Sequence, residues 1–306
     1  MITELRVENF KSFGSDMSPL FLRPLNFVVG ANASGKTNLL SALRFLKIAL
    51  LQNVEIAVGE FDGPGEVRNK ILRERKETKP VRMRLKVDGA KLGEFLEGWS
   101  FFNISPAVAR QPCKEMPELA LGEAGEYLAA ILHKLEKQNG EKGSLEQIVA
   151  GLRGAVPGFK NVRAKALEVE GKWTFQVVED RIRGAINPRS VSDGTIRLLA
   201  MLVIAHWSAR CSTLLAIEEP ENGLHPHLSK HIVELLRTAS ETRQVIATTH
   251  NSSFLDELEP EEVILCDKKE GFTVVHHASE VAEIKSFRKH FRLGELWEQG
   301  TLGGIP

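Results

Sequence analysis

Leu25-Asn26-Phe27-Val28-Val29-Gly30-Ala31-Asn32-Ala33-Ser34-Gly35-Lys36-Thr37-Asn38 runs from an apolar pentad straight into a glycine-framed octad. The pentad is bulky along its length, the mark of a β-strand covered on both faces in an α/β sheet. Gly30 to Thr37 fits the pattern GxxxxGK[ST] in full, and context supports it. Glycines let the backbone curl so that successive N–H groups point inward at phosphate oxygens, and a helix N-terminus adds its positive end to the same anion site. That helix is present: from Thr37 to Leu51, Leu39, Leu40, Leu43, Leu46 and Ile48 recur at helical spacing with no glycine or proline. Gly30, Asn32, Ser34, Gly35 and Asn38 are thus expected around the phosphates, Lys36 at the β- and γ-phosphates, and the Thr37 hydroxyl on Mg²⁺.

Outward from this unit, residues 2–9 read as a first strand. Residues 56–80 are polar and glycine-containing and read as a loop or edge, whereas Val81 to Val87 alternates apolar with basic as a half-exposed strand. Between about 95 and 158 the α/β rhythm breaks, and a compact helical insertion is expected there within a single domain spanning 1–306. Its first helix carries Leu128, Ile131, Leu132 and Leu135; a second starts at Ser144 and ends between Gly151 and Pro157. Alternation then returns. A strand pair is expected at Val162–Val169 and Trp173–Val178, a helix from Thr195 to about Ala209, and a buried strand at Thr213–Ile217. A helix at His227–Thr238, a strand at Gln244–Thr248 and a strand pair at Val263–Cys266 and Phe272–Val275 follow.

Three further motifs carry chemistry. Leu214-Leu215-Ala216-Ile217-Glu218-Glu219 is an apolar strand ending in paired acids, suited to holding Mg²⁺ with Glu218 and polarising a water with Glu219. Ser190 to Thr195 places Ser192 as a helix N-cap, with Gly194 allowing close backbone approach, so this helix start is ready for an anion. Val245-Ile246-Ala247-Thr248-Thr249-His250-Asn251 empties a strand into a polar turn that can present His250 to a γ-phosphate. Taken alone, each also has a plainer reading as a solvated strand end, an ordinary cap or a solvated histidine.

Composition sets the outer bounds. Apolar content of 42% and charged content of 26% over 306 residues are those of a globular chain with a sizeable core. Forty basic residues balance forty acidic ones, so no global field draws in nucleic acid or an anionic membrane. Arg68, Lys70, Arg73, Arg75, Lys76, Arg82 and Arg84 read as a solvated charged edge rather than a DNA-binding face. Cys113, Cys211 and Cys266 are scattered without CxxC spacing, which suits reduced thiols. With an acid in the N-terminal stretch and no long apolar run, a cytoplasmic protein without a membrane partner is expected.

In order, GANASGKTN, SVSDGT, LLAIEEPENGLHP and ATTHN resemble the ABC-type ATPases of the SMC/RecF-like group, nearest the prokaryotic AAA-ATPase-like and OLD-like proteins. Leu5-Arg6-Val7-Glu8-Asn9-Phe10-Lys11-Ser12-Phe13 is similar to that group's first strand and turn. The resemblance implies an ABC-ATPase head with a mixed β-sheet flanked by helices, binding ATP and Mg²⁺. It implies that Ser192 to Thr195 is the signature loop, reaching the γ-phosphate held by a second copy in a head-to-head dimer, with His250 as the switch histidine. Glu221 to Pro226 corresponds to the D-loop region, and His225 and His227 read as loop and helix-start residues rather than metal ligands. Several features depart from the pattern. Glu218 stands where many relatives have Asp, no glutamine marks a Q-loop, Gln52 lying too near the P-loop helix, and a long coiled coil, zinc hook and nuclease module are missing. The implied activity is an ATP-driven switch transmitted to DNA or to a separate nuclease or effector, in anti-phage defence or DNA repair. A tight-binding, barely hydrolysing scaffold and a transporter-type nucleotide-binding subunit are the alternatives.

Overall fold

In the computed structural model, all residues are described except 78, 90, 118, 138–143, 168–169, 208–211 and 304–306. Cys211 and the expected ends at Val169 and Ala209 lie outside the described residues. The chain divides into two compact units, one of residues 1–101, 213–219 and 240–306, the other of 102–212 and 220–239.

The first unit contains two sheets. Strands β1 (Ile2–Glu8), β2 (Leu20–Phe21), β3 (Leu25–Val29) and β4 (Arg82–Val87) come first, then β5 (Trp99–Phe102). After β6 (Phe159–Leu167), β7 (Lys172–Glu179) and β8 (Ala185–Ile186) in the other unit come β9 (Leu214–Glu218), β10 (Gln244–Thr249), β11 (Val263–Lys269) and β12 (Phe272–His277). One sheet has the order β2-β1-β4, the other β12-β11-β3-β10-β9-β5. Within the second, β11, β3, β10 and β9 run parallel and β12 returns antiparallel. The sheet is therefore mixed.

Strand β3 is buried at all five positions, as its unbroken apolar run predicts. Val28 joins a cluster with Leu5, Phe10, Leu39, Leu43 and Ile264. Phe27 points the opposite way and meets Phe254, ring centroids 5.9 Å apart. One pentad thus ties the sheet to a layer on either face.

Two expectations need adjusting. Residues 56–80 hold three short helices, Val54–Glu60, Pro64–Val67 and Lys70–Glu74, rather than a loop. Asn53 and Asn69 start two of them by accepting from the amides of Ile56 and Leu72, a capping device that polar composition conceals. The segment 95–158 contains β5 as well as helices, and β5 forms an edge of the larger sheet.

The second unit packs helices Leu128–Lys137, Ser144–Ala155 and Asp193–His206 with the antiparallel sheet β6-β7-β8. The expected stripe of Leu128, Ile131, Leu132 and Leu135 is buried. Helix Ser144–Ala155 ends within the expected range, with Gly151 inside it, where a Cβ would lie 2.6 Å from the Leu202 side chain. Glycine here permits close helix packing; it does not end the helix. Helix Ser229–Ser240 follows a 3₁₀ turn at Pro226–Leu228. No helix among the described residues is long and apolar enough to cross a membrane.

Candidate nucleotide site

Three of the sequence motifs leave the sheet at the carboxyl end of its parallel strands. Val29 at the end of β3 pairs with Thr249 at the end of β10, and Glu218 at the end of β9 pairs with Thr248. Because these strands are parallel, the Gly30 loop, Glu218-Glu219 and His250 all emerge at their carboxyl ends, where open α/β sheets bind ligands.

The loop is held in a strained curl by its own sequence. Ala33 has φ +63° and Gly35 φ +115°, both left-handed. A Cβ on Gly35 would approach Thr273 Oγ1 to 2.2 Å, and one on Gly30 would meet the Cys266 carbonyl oxygen at 2.1 Å. Glycine is required at both positions by contacts from β11 and β12. Lys36 is buried and donates from Nζ to the Gly30 and Ala31 carbonyls at 2.7 and 2.9 Å. The loop is thereby tied to the start of helix Lys36–Leu51.

A polar chain braces the loop from behind. Asn38 Nδ2 lies 2.6 Å from Ser12 Oγ, Ser12 Oγ lies 2.7 Å from Thr273 Oγ1, and Thr273 Oγ1 donates to the Ser34 carbonyl at 2.8 Å. The Cys266 thiol reaches the same carbonyl at 3.6 Å. Burial pushes that thiol up to about 11, so it remains protonated and unreactive at neutral pH. Sequence reasoning placed Ser12 only in a family-like turn and missed Thr273 and Cys266. No local pattern could reveal them, because they reach Ser34 from more than 230 positions away.

Lys11 sits beside the site with φ +47°. Its Nζ donates to Ser41 Oγ at 3.3 Å and lies 4.9 Å from the Phe61 ring centroid. Burial lowers its pKa, partly opposed by the charges of Glu66 and Glu218.

Glu219 has a left-handed backbone, φ +44°, at a cost of ~1–2 kcal/mol for a residue with a Cβ. Its amide donates to the Thr248 carbonyl at 3.0 Å, which fixes the turn. The carboxylate Oε1 then lies 3.1 Å from His250 Nδ1. An ionised carboxylate can only accept, so the imidazole carries its hydrogen on Nδ1 in this pair. Strain at a candidate reacting residue is the pattern of functional sites, where surrounding structure over-determines the conformation.

The residues fit a magnesium nucleotide. The buried Ser34 hydroxyl has no hydrogen-bond partner among the described residues, a costly state that a phosphate oxygen would relieve. Thr37, which is exposed, and Glu218 supply hard oxygen ligands of the kind Mg²⁺ prefers. Asn32 is also exposed on the loop.

Ser192 and Gly194 belong to the second unit. The Ser192 hydroxyl caps its helix as expected, accepting from the Thr195 amide at 3.2 Å. Gly194 is needed for a different contact, since its Cβ would lie 2.7 Å from the Gly223 carbonyl oxygen. Arg110 holds this segment, donating to the Pro188 and Val191 carbonyls at 2.8 and 2.6 Å and to Asp193 at 2.6 Å. His225 caps the turn at Pro226–Leu228. Its Nδ1 lies 2.7 Å from His227 Nδ1, consistent with loop and helix-start residues.

The sequence profile of the family described as "AAA domain, putative AbiEii toxin, Type IV TA system" matches residues 25–91 and 124–256, which include the glycine loop, Ser192–Thr195, Glu218-Glu219 and His250. No curated protein matches the chain in sequence. In structure the chain is similar to an SMC head bound to the C-winged helix domain of ScpA, with TM-score 0.58, 15% identity and coverage of 90% of this chain and 97% of that one. It is similar also to a Pyrococcus furiosus Smc head with an extended coiled coil, bound to the C-terminal domain of ScpA. There the TM-score is 0.54 and the identity 14%, with 94% of this chain and 99% of that one covered. At such identities the likeness speaks for the fold, which is that of an SMC head. With the family profile spanning well over half its length, the chain belongs to the AAA-domain family of that description, and it has the fold of an SMC head.

Proposed function

We propose that this protein binds and hydrolyses ATP with Mg²⁺ as a single ABC-type head, 1–306, whose inserted helical segment begins after β5, and that two copies close head-to-head around the nucleotide. Gly30, Asn32, Ser34, Gly35 and Asn38 line the phosphates. Lys36 exchanges its two carbonyl partners for the β- and γ-phosphates. Thr37 and Glu218 would hold Mg²⁺, which would supply a positive charge against the charge developing on the phosphates. Glu219 accepts a proton from the attacking water, and His250, hydrogen-bonded to Glu219, orients it and senses the γ-phosphate. Ser192 and Gly194 of a second copy complete the site, where exclusion of water strengthens every charge interaction.

The observation that carries this reading is the Glu219–His250 pair, 3.1 Å apart and set on a strained turn at the same carboxyl end of the sheet as the glycine loop. The closing motion would be passed to DNA or to a separate nuclease or effector. The ScpA-bound SMC heads are examples of this fold engaging a partner. Roles in anti-phage defence or DNA repair rest on analogy with the group.

Single-turnover hydrolysis tests the chemistry. Glu219→Gln keeps the shape and removes the base, and a loss of roughly 10²–10⁴-fold is expected with ATP still bound. Equal rates in the two proteins would remove Glu219 from catalysis and favour a nucleotide-dependent scaffold. Light scattering of Glu219→Gln with and without Mg-ATP tests closure, with a shift from one copy to two expected.

A further inference from the structure

Near the C-terminus the sequence reads Ile284-Lys285-Ser286-Phe287-Arg288-Lys289-His290-Phe291-Arg292. In a chain whose forty cations equal its forty acids, these nine residues hold four cations, a histidine, two phenylalanines and no acid. Most of them are exposed, Ile284 being buried and Phe287 half-buried. Lys285, Arg288, Lys289, His290 and Arg292 all face solvent, and Phe291 is 44% accessible despite its apolar ring.

The backbone gives this composition a geometry. The Phe287 amide bonds the Glu283 carbonyl, and the Phe291 amide bonds that of Phe287 at 2.9 Å. Phe287 closes the short helix Ile284–Phe287, and the turn beyond it carries Lys289, His290 and Phe291. Arg288 pairs with Glu259, and Arg292 lies 3.9 Å from Asp256, whose other oxygen accepts from the Gly294 amide at 2.9 Å. Immediately beyond, Leu293, Leu296 and Trp297 are buried. The two arginines and this apolar anchor fix the segment to the first unit. Lys285, Lys289 and His290 have no acidic partner among the described residues.

The basic edge that the sequence suggested is different in kind. On β4, Arg82 and Lys86 stand opposite Glu8 and Glu4 of β1, Lys86 pairs with Glu4, and Arg6 beside them pairs with Glu8 at 2.7 Å. Alternating signs there cancel much of the attraction for an anion. At 285–292 the acids are matched differently: Glu259 and Asp256 lie against Arg288 and Arg292, and exposed Glu283 precedes the segment, while Lys285 and Lys289 have no acidic partner among the described residues.

We infer that this segment is a binding platform for single-stranded nucleic acid, in which Lys285, Lys289 and His290 meet backbone phosphates and Phe291 stacks on a base. Fixed cations flanking an exposed aromatic ring are what sequence-tolerant single-strand binding requires, since every base offers a π-face and every nucleotide a charge. An acidic protein surface would use the cations and leave Phe291 in water. An anionic bilayer would call for a longer amphipathic helix than the four residues of Ile284–Phe287. The inference goes beyond the proposed ATPase cycle and holds without nucleotide.

Fluorescence anisotropy of the full chain without ATP tests it, using a labelled single-stranded oligodeoxythymidine, the corresponding duplex, and phosphatidylglycerol vesicles in sedimentation. Binding to the single strand is expected to weaken with salt. Lys285→Ala with Lys289→Ala should flatten the logarithmic salt slope by about 1.4, at about 0.7 per phosphate contact. Phe291→Ala should weaken binding roughly tenfold at unchanged salt slope, and Phe291→Tyr should restore it. Absence of oligonucleotide binding overturns the inference. So do equal affinity of Phe291→Ala, binding to vesicles alone, or binding lost on Arg82→Ala with Arg84→Ala but kept in the platform variants. All readouts are made without ATP, so a failed hydrolysis assay leaves the result interpretable, and a failed binding assay leaves the ATPase reading standing.

Discussion

Ser34 shows how a single side chain can be held in a conformation that favours a ligand over the empty fold. Its hydroxyl is buried with no hydrogen-bond partner among the described residues, while its carbonyl is gripped by Thr273 and Cys266. An unmade buried hydrogen bond costs ~1–3 kcal/mol. Ser34→Ala is therefore expected to raise the denaturant midpoint of the nucleotide-free protein while weakening ATP binding. A lower midpoint would show that the hydroxyl contributes to the empty loop. Cys266 makes a pH-dependent contribution whose sign follows from its raised pKa. The folded protein keeps the thiol proton up to about 11, whereas the unfolded chain releases it near 9. Between these values the folded state binds more protons, so this contribution is complete below pH 9 and is lost as pH rises toward 11. Compared with wild type, Cys266→Ser should show a shallower fall in stability over that window, because its hydroxyl does not titrate there.

At the scale of elements, β3 is the piece on which both layers of the first unit depend. Val28 serves the cluster on one face and Phe27 stacks toward Phe254 on the other. Phe27→Ala should cost ~3–5 kcal/mol in chemical denaturation, the range for emptying a fully packed aromatic site. The segment before helix Asp193–His206 depends instead on one guanidinium. Arg110 satisfies two carbonyls and Asp193 together, and its side chain is only 15% exposed. Arg110→Ala should accelerate hydrogen exchange over 188–195 with little change in β3. Unchanged exchange would mean that the Ser192 cap and the Gly194–Gly223 approach hold the segment unaided.

For the whole molecule, ligand linkage gives the broadest check. A nucleotide that binds only the folded chain at a hundred times its dissociation constant stabilises it by ~2.7 kcal/mol. Mg-ATP should therefore raise the melting temperature of wild type and of Glu219→Gln alike. It should leave Lys36→Ala unmoved, because that variant lacks the ammonium that would meet the phosphates. A shift in Lys36→Ala equal to that of wild type would place the nucleotide elsewhere.

The sequence by itself determined what depends on neighbours along the chain. Burial of β3, the glycine loop and its helix, the Ser192 cap and the strand pairs at β6–β7 and β11–β12 all follow from patterns a few residues long, because hydrogen bonding and side-chain alternation there are local. The left-handed turns at Ala33 and Glu219 were not legible in this way, since neither residue type announces a positive φ. Nor was the brace through Ser12, Thr273 and Cys266, nor the place of β5 at a sheet edge. Only tertiary structure decided these, because each depends on which distant strand lies alongside. That neighbour is selected by burial of the whole core, which no short pattern records. The platform at 285–292 lies between the two cases. Its charges are plain in the sequence, but only packing shows Arg288 and Arg292 turned to acids while Lys285 and Lys289 remain in solvent.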